Sequence, residues 1–306
     1  MSIFAVDKKL VQQLLLVNQF TLPQVELVFI GIRGAITGNA NDQEFKTKHE
    51  LSLMDINYTN PRCTLFQWQQ NGTKLAAFPG STVPHFSSIK TALKKGGAGA
   101  NSLMTGFYKD YRKGMHKNGA PTGHEAFRQN APHPVQRSAD DLDFDKDDRI
   151  EFENPQDNIH CGWFDGLSSN SFSSAGCQVV MGFPQCQRPG RDKNTGPWKV
   201  FHDNAYAISQ HAFPYILLNG MELFNLASSG RPEKAKLRYG SNGTLVNSLQ
   251  EKLKSLSFYE GIIDGDFGER TLKAVIAFQQ KVFGNTGVDG VVGAVTAEEL
   301  ELDLTL

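Results

Sequence analysis

Apolar residues at Leu10, Val11, Leu14 and Leu15 are interleaved with polar ones at the 3.6-residue period of one buried helix face, and Asp7 stands where a side chain caps the first turn. This spacing predicts a helix over 7–18. The pattern then changes: Val25 to Ile32 is β-branched and aromatic without a helical period and reads as a strand ending at Gly34. Cys63 to Trp68 and Lys74 to Phe78 flank Asn71-Gly72, a hairpin signal because these two residues tolerate the positive φ angles of a tight turn. A Pro/Gly/Ser loop occupies 79–84, and Ser87 to Lys95 reads as a short helix stopped by Gly96-Gly97. From Ala98 to Asn130 the chain is rich in Gly, Tyr, Lys and His and reads as solvated loop surface. Its polar residues His116, Lys117, His124, Glu125 and Arg128 are candidates to line a cleft and grip carboxylates.

Acidic and apolar residues alternate from Asp140 to Glu153. Asp143, Asp145 and Asp147 match the first ligand positions of a calcium loop, but Asp148 stands where that loop needs glycine and Asn154 where it needs a bidentate Glu. The run therefore reads as a hairpin turn leading into the strand that carries His160, with calcium as the alternative. Ile159 ends a strand-like run, 167–174 is a Ser-rich loop without period, and Val179-Val180-Met181 reads as a buried strand. A loop of Pro, Gly, Arg and Asp follows up to Gly196, then a helix from Trp198 to Gln210 and a last strand from Phe213 to Leu218.

The hydrophobic period lapses near Ser228-Ser229-Gly230-Arg231-Pro232, which places a linker at 228–236 between domains 1–227 and 237–306. The second domain contains a repeat: Asp264-Gly265-Asp266-Phe267-Gly268 with Thr271 recurs 25 residues later as Asp289-Gly290-Val291-Val292-Gly293 with Thr296. Val246, Leu249 and Leu253 precede the first copy at helical spacing, and Leu272, Val275, Ile276 and Phe278 lie between the copies.

The chain has 306 residues, 40% of them hydrophobic, enough for one sizeable core and a small second one. Its 31 basic and 32 acidic residues leave a net charge of −1, which gives no electrostatic footprint for nucleic acid. No apolar run approaches the roughly 18 residues of a membrane span. Met1 to Phe20 lacks a basic start and a small-residue cleavage site, so no secretory signal peptide is expected. The four cysteines, 63, 161, 177 and 186, are too few for a disulfide scaffold, and a pair such as Cys63–Cys161 stays open.

The chemistry concentrates at His160 and Cys177, 17 residues apart across the Ser-rich loop. A thiol is mostly protonated at neutral pH and needs a base to attack a carbonyl; an imidazole brought back by the loop supplies one. Gly176 allows a turn that a Cβ resists and leaves backbone N–H groups free for an oxyanion hole. Arg188 and Arg191 follow within a few residues, where a cation meets a substrate carboxylate. No Cys-x-x-Cys or His-x-x-x-His spacing appears, so neither a metal nor a cofactor is expected.

His160, Ser174, Gly176 and Cys177 fall on the positions of the signature of the L,D-transpeptidase (YkuD-like) family, which this segment resembles. Ala175 replaces the His usual before the Gly, and Val179 stands where Arg or Asn is common. The resemblance implies a mostly-β catalytic domain with Cys177 as nucleophile, His160 as general base, Gly176 in the oxyanion hole and Ser174 as support. Trp163, Gln178 and Arg188 are taken as substrate contacts. The region from Leu237 to Leu302, with Leu249-Gln250, both Asp-Gly turns and Phe278-Gln279, resembles the three-helix peptidoglycan-binding domain. The fold class expected is thus multidomain α+β.

Together the two resemblances imply acyl transfer at the diaminopimelate–D-Ala bond of peptidoglycan tetrapeptide stems, through a Cys thioester. They imply action in the periplasm or wall after delivery by a secretion system or by lysis, with a delivery partner and an immunity protein. An inactive wall-binding structural protein and a Cys amidase or peptidase remain the alternatives.

Overall fold

The computed structural model describes residues 2–138, 141–145, 148–230 and 232–306. Strand β1 (Ile3–Asp7) runs straight into helix α1 (Lys8–Val17), where Asp7 Oδ1 accepts the Leu10 N–H at 2.9 Å and caps the first turn. β2 (Leu27–Arg33) is buried on both faces, and the strand period sorts its side chains between two cores. Leu27 and Phe29 enter one, whereas Val28, Ile30 and Ile32 enter the other with Leu10, Val11 and Leu14 of α1. β3 (Ala35–Thr37) and β4 (Lys48–Leu53) form a small sheet with β1, and β5 (Cys63–Gln69) and β6 (Leu75–Ser81) form the expected hairpin around Asn71-Gly72. α2 (Phe86–Lys95) ends at Gly96, as the sequence indicates.

The stretch 98–130 is mostly strand, not loop: β7 (Ala100–Leu103), β8 (Gly106–His116) and β9 (His124–Gln129) account for most of it. β8 and β9 pair from Tyr111↔Gln129 to His116↔His124. The alternation that would have revealed β8 is broken by a bulge in β8 itself: strand Ala212–Asn219 pairs Phe213 with Tyr111 but Tyr215 with Tyr108. Phe107, Tyr108 and Tyr111 are consequently buried in place of every second residue.

β10 (His133–Ser138) and β11 (Arg149–Glu153) pair as a hairpin whose connection is the acidic run. β11 joins β10 and β7 in a separate sheet, so the run does not lead directly into the His160 strand. Asp140 and Asp147 of that run lie outside the described residues. β12 (Ile159–Cys161), β13 (Gln178–Val180), α3 (Gly196–Tyr206), β14 (Ala212–Asn219) and α4 (Gly220–Ser229) complete the first region. Eight strands close a barrel in the order β12-β13-β6-β5-β2-β14-β8-β9, with β12–β13 and β14–β2 parallel. α3 places Trp198 and Phe201 against Phe29, Phe78 and Phe127 in the barrel core. The helix stops short of Gln210, whose Oε1 instead accepts the Glu26 and Leu27 N–H groups at 3.0 and 2.9 Å.

α4 takes up Ser228 and Ser229, so helix extends into the segment expected as linker; Arg231 lies outside the described residues. The chain after it is stitched to the barrel region: the Phe107 N–H donates to Tyr239 O at 3.0 Å and Ser241 Oγ to Asn18 O at 2.6 Å. Arg238, almost fully buried, donates to both oxygens of Glu222 at 2.7 and 3.1 Å.

α5 (Thr244–Ser255), α6 (Glu269–Phe283) and α7 (Ala294–Glu299) form the C-terminal helical module. The repeat has a local cause. Gln250 Oε1 accepts the Asp264 and Gly265 N–H groups at 3.0 Å each, and its Nε2 donates to Thr271 Oγ1 at 3.0 Å. Gln279 repeats this with Asp289, Gly290 and Thr296 at 3.2, 2.9 and 3.2 Å. Gly265 and Gly290 have φ of 70° and 66°, which explains glycine at both.

The fold is thus α+β, a β-rich barrel region followed by helices. No helix among the described residues is long and apolar enough to cross a membrane. All four cysteines are free, which overturns the Cys63–Cys161 pairing. The two sit on β5 and β12, which are not neighbours in the barrel, and Cys161 Sγ donates to Gly182 O at 2.8 Å.

Candidate active site

β12 and β13 lie side by side and parallel, with Ile159 opposite Gln178 and His160 opposite Val179. The 17-residue spacing is therefore a crossover between neighbouring strands, and it returns Cys177 to the side of His160. The turn before Cys177 depends on Gly176, with φ of 144°. A Cβ there would lie 1.8 Å from Asn101 Nδ2 and 2.4 Å from Asp157 Oδ1, both buried. Ser174 Oγ braces the same turn, accepting the Gly176 N–H at 3.2 Å and donating to Cys177 O at 2.7 Å.

Two expectations change here. The Gly176 N–H is engaged by Ser174 and the Asn158 N–H by Gln156 O at 2.8 Å, so neither is free for an oxyanion. Gln178 is fully buried, donating to Gly176 O at 2.9 Å and accepting from Tyr215 OH at 3.1 Å. It holds the turn from behind.

His160 Nδ1 lies 2.7 Å from Cys161 O. A carbonyl only accepts, so the ring's proton sits on Nδ1 and Nε2 presents a lone pair. His116 stacks on this ring at 3.9 Å and 15°, and His124 stands edge-on at 5.3 Å. A nitrogen of His116, a nitrogen of His160 and the Cys177 sulfur lie within 4.8 Å of one another. Such a trio raises the question of a metal, but ring lone pairs lie in the ring plane, and two nearly parallel planes do not converge on one ion. The trio suits acid–base chemistry better than ligation.

Burial pushes His160 well below the ordinary imidazole value, and the neighbouring His116 and His124 rings oppose a second positive charge there. Burial raises the Cys177 thiol, and Asp157 beneath it adds to the rise. Asp157 itself is pushed up to about 7 by burial, against the opposing Asn101 hydrogen bond and Arg137 charge. The resting pair is therefore a neutral thiol, donating to Gln156 O at 3.6 Å, beside a neutral imidazole.

His160 and Cys177 open onto a cavity of about 430 Å³ that is also lined by Ser88, His116, Lys117 and Trp163. Trp163 has φ of 61°, with the Arg188 guanidinium 5.6 Å and that of Arg191 6.0 Å from its ring. Neither arginine makes an ion pair among the described residues. A larger cavity of about 660 Å³ lies between barrel and helices, beside Met104 and Arg238, and contains none of these groups. Of the residues grouped by polarity in 98–130, the structure brings His116, Lys117 and His124 to the site. It sends Glu125 to His202, 2.8 Å away, and leaves Arg128 exposed. Asn101 and Asp157 were not singled out in the sequence; isolated polar residues beside strands carry no local signal.

Residues 242–300 match the peptidoglycan binding domain family. No curated protein and no solved structure matches the chain. The matched segment spans α5, α6 and α7 with both Asp-Gly turns, and it supports a cell-wall-associated role with peptidoglycan as partner.

Proposed function

We propose that this protein is a peptidoglycan-modifying cysteine enzyme of the L,D-transpeptidase and L,D-carboxypeptidase type. The observation that carries the reading is the oriented pair. His160 keeps its proton on Nδ1 and turns Nε2 toward the cavity of Cys177, on a chain whose C-terminal segment matches a peptidoglycan binding domain. Cys177 Sγ attacks the diaminopimelate carbonyl of a tetrapeptide stem as His160 Nε2 takes the thiol proton. The tetrahedral intermediate collapses, the C–N bond breaks, and His160 returns the proton to the departing D-Ala amine. The thioester then passes to another stem's amine, to a free D-amino acid or to water. Arg188, over the Trp163 ring, and Arg191, over the Phe183 ring at 3.9 Å, offer cations for the terminal carboxylate. On this reading the enzyme acts in the wall, and a producing cell delivers it there by secretion or lysis.

The test is to incubate wild type and Cys177→Ala with diaminopimelate-type peptidoglycan, with and without D-Met, and to read muropeptide masses. Loss of terminal D-Ala or its exchange for D-Met in the wild type alone is the expected result; cleavage elsewhere in the stem would indicate an amidase or peptidase. One observation favours a second reading, a wall-binding protein with a structural Cys177: the sulfur's residue is only 9% exposed. Unchanged muropeptides with the protein pelleting with the wall would select it.

A further inference from the structure

The reaction proposed above uses one of the three imidazoles that meet at the end of the β8–β9 hairpin. A second, His116, is held in a defined state by Asn158, which is 1% exposed and uses both ends of its amide. Asn158 Oδ1 accepts the Gln129 backbone N–H at 3.0 Å. That N–H only donates, so the amide orientation is fixed and Nδ2 points the other way, 3.0 Å from His116 Nδ1. An amide NH₂ also only donates. His116 Nδ1 must therefore carry the lone pair, and the proton of the neutral ring sits on Nε2.

His160 is the mirror case, with its proton on Nδ1 facing Cys161 O. Two rings stacked at 3.9 Å thus hold opposite tautomers at one cavity, one presenting a lone pair and the other an N–H. His116 Nε2 makes no hydrogen bond among the described residues.

We infer that His116 is a second catalytic residue: its Nε2–H donates to the oxygen of the attacked carbonyl as that oxygen becomes an oxyanion. This deepens the acyl-transfer reading and rests on Cys177 attacking a carbonyl. It also supplies a donor where Ser174 has withdrawn the Gly176 amide. No proton leaves His116. As the S–C bond forms, the thiol proton goes to His160 Nε2 and the carbonyl π electrons move onto the oxygen facing His116. They return when the C–N bond breaks and His160 protonates the leaving amine. A neutral donor suits this place, because an imidazolium stacked on His160 would oppose the charge that His160 acquires. Burial first, then the charges of His124, Lys117 and Arg128, hold His116 at about 3, so it stays neutral at any working pH. Asn158 is the positioning residue that selects the tautomer.

The test compares two reactions of Cys177 in the full-length protein, read by intact mass. Acylation by p-nitrophenyl acetate passes through an oxyanion, whereas alkylation by iodoacetamide does not. His116→Phe keeps a stacking ring without a donor and should slow acylation about 10²-fold, the typical loss of one oxyanion donor. Its alkylation rate should stay within about twofold of wild type. His116→Gln retains an N–H and should recover at least tenfold of the lost acylation. Equal slowing of both reactions by His116→Phe, or slowing of neither, would overturn the role. Wild-type acylation no faster than that of Cys177→Ala would overturn both the role and the acyl-transfer reading. A selective His116→Phe effect with unchanged muropeptides would uphold the role and refute only the peptidoglycan stem as substrate.

Discussion

Replacing Gly176 by alanine tests the architecture that places the nucleophile. The backbone there has φ of 144°, a conformation that L side chains rarely adopt, which costs about 1–3 kcal/mol. The new methyl would also fall 1.8 Å from Asn101 Nδ2 and 2.4 Å from Asp157 Oδ1. Neither neighbour swings away freely: Asn101 donates to Asp157, Asp157 N–H is held by Gln129 Oε1 at 2.8 Å, and both side chains are buried. Overpacking of this kind costs about 1–3 kcal/mol more. The total of about 2–6 kcal/mol corresponds to a fall of roughly 5–20 °C in the barrel's unfolding transition. Scanning calorimetry measures it, and Asn101→Ala supplies the control, since removing the amide relieves the closest contact. In that background Gly176→Ala should cost about 1–3 kcal/mol less. A Gly176→Ala transition within 1 °C of wild type, with unchanged Cys177 alkylation, would refute the reasoning.

Three further outcomes follow from the buried charges. Because the thiol lies above the ordinary range and His160 below its own, iodoacetamide alkylation of Cys177 should keep rising with pH beyond about 9. A plateau reached below pH 7 would instead reveal a preformed ion pair. Asp157 binds its proton more tightly folded, at about 7, than unfolded, near 3.8. Its contribution is therefore full at low pH and is lost as pH rises through that window, by several kcal/mol as an upper bound. Urea melts of Asp157→Asn should lack this decline and exceed wild type at pH 8; a parallel decline in both would contradict it. Glu222 has the opposite sign. Burial raises its carboxyl, but Arg238 and Lys236 outweigh that and hold it at about 2, so its contribution of about 3 kcal/mol is present above pH 4.5 and lost toward 2. Arg238→Met should destabilise the protein at pH 6 and flatten that acid dependence, as read by denaturant titration.

How much of this was legible in the sequence depended on whether its cause was local. Asp7 caps α1 from three residues away, and Gln250 with Gln279 explain the Asp-Gly repeat within one small module, so spacing reveals both. Gly176 before Cys177 announced its turn, and the crossover from β12 to β13 converted sequence spacing into proximity. β8 was missed because a bulge in it breaks its alternation, and that bulge answers to its pairing with β14, a strand about 100 residues downstream. The tautomer of His116 is set by Asn158, 42 residues away, whose own orientation is set by the Gln129 amide 29 residues back. No local pattern encodes such a relay. Gln178 misled for a related reason: a polar residue after the nucleophile suits substrate, but only the closed barrel shows Tyr215 already waiting for it.

The central claim is that Cys177 carries the acyl group of a peptidoglycan stem. The direct measurement is intact-protein mass spectrometry of acid-quenched wild type mixed with a diaminopimelate-type disaccharide tetrapeptide. An adduct equal to the donor minus D-Ala, mapped to Cys177 and absent from Cys177→Ala, is the expected result. Adduct-free protein alongside intact tetrapeptide, or an adduct that survives in Cys177→Ala, would contradict it.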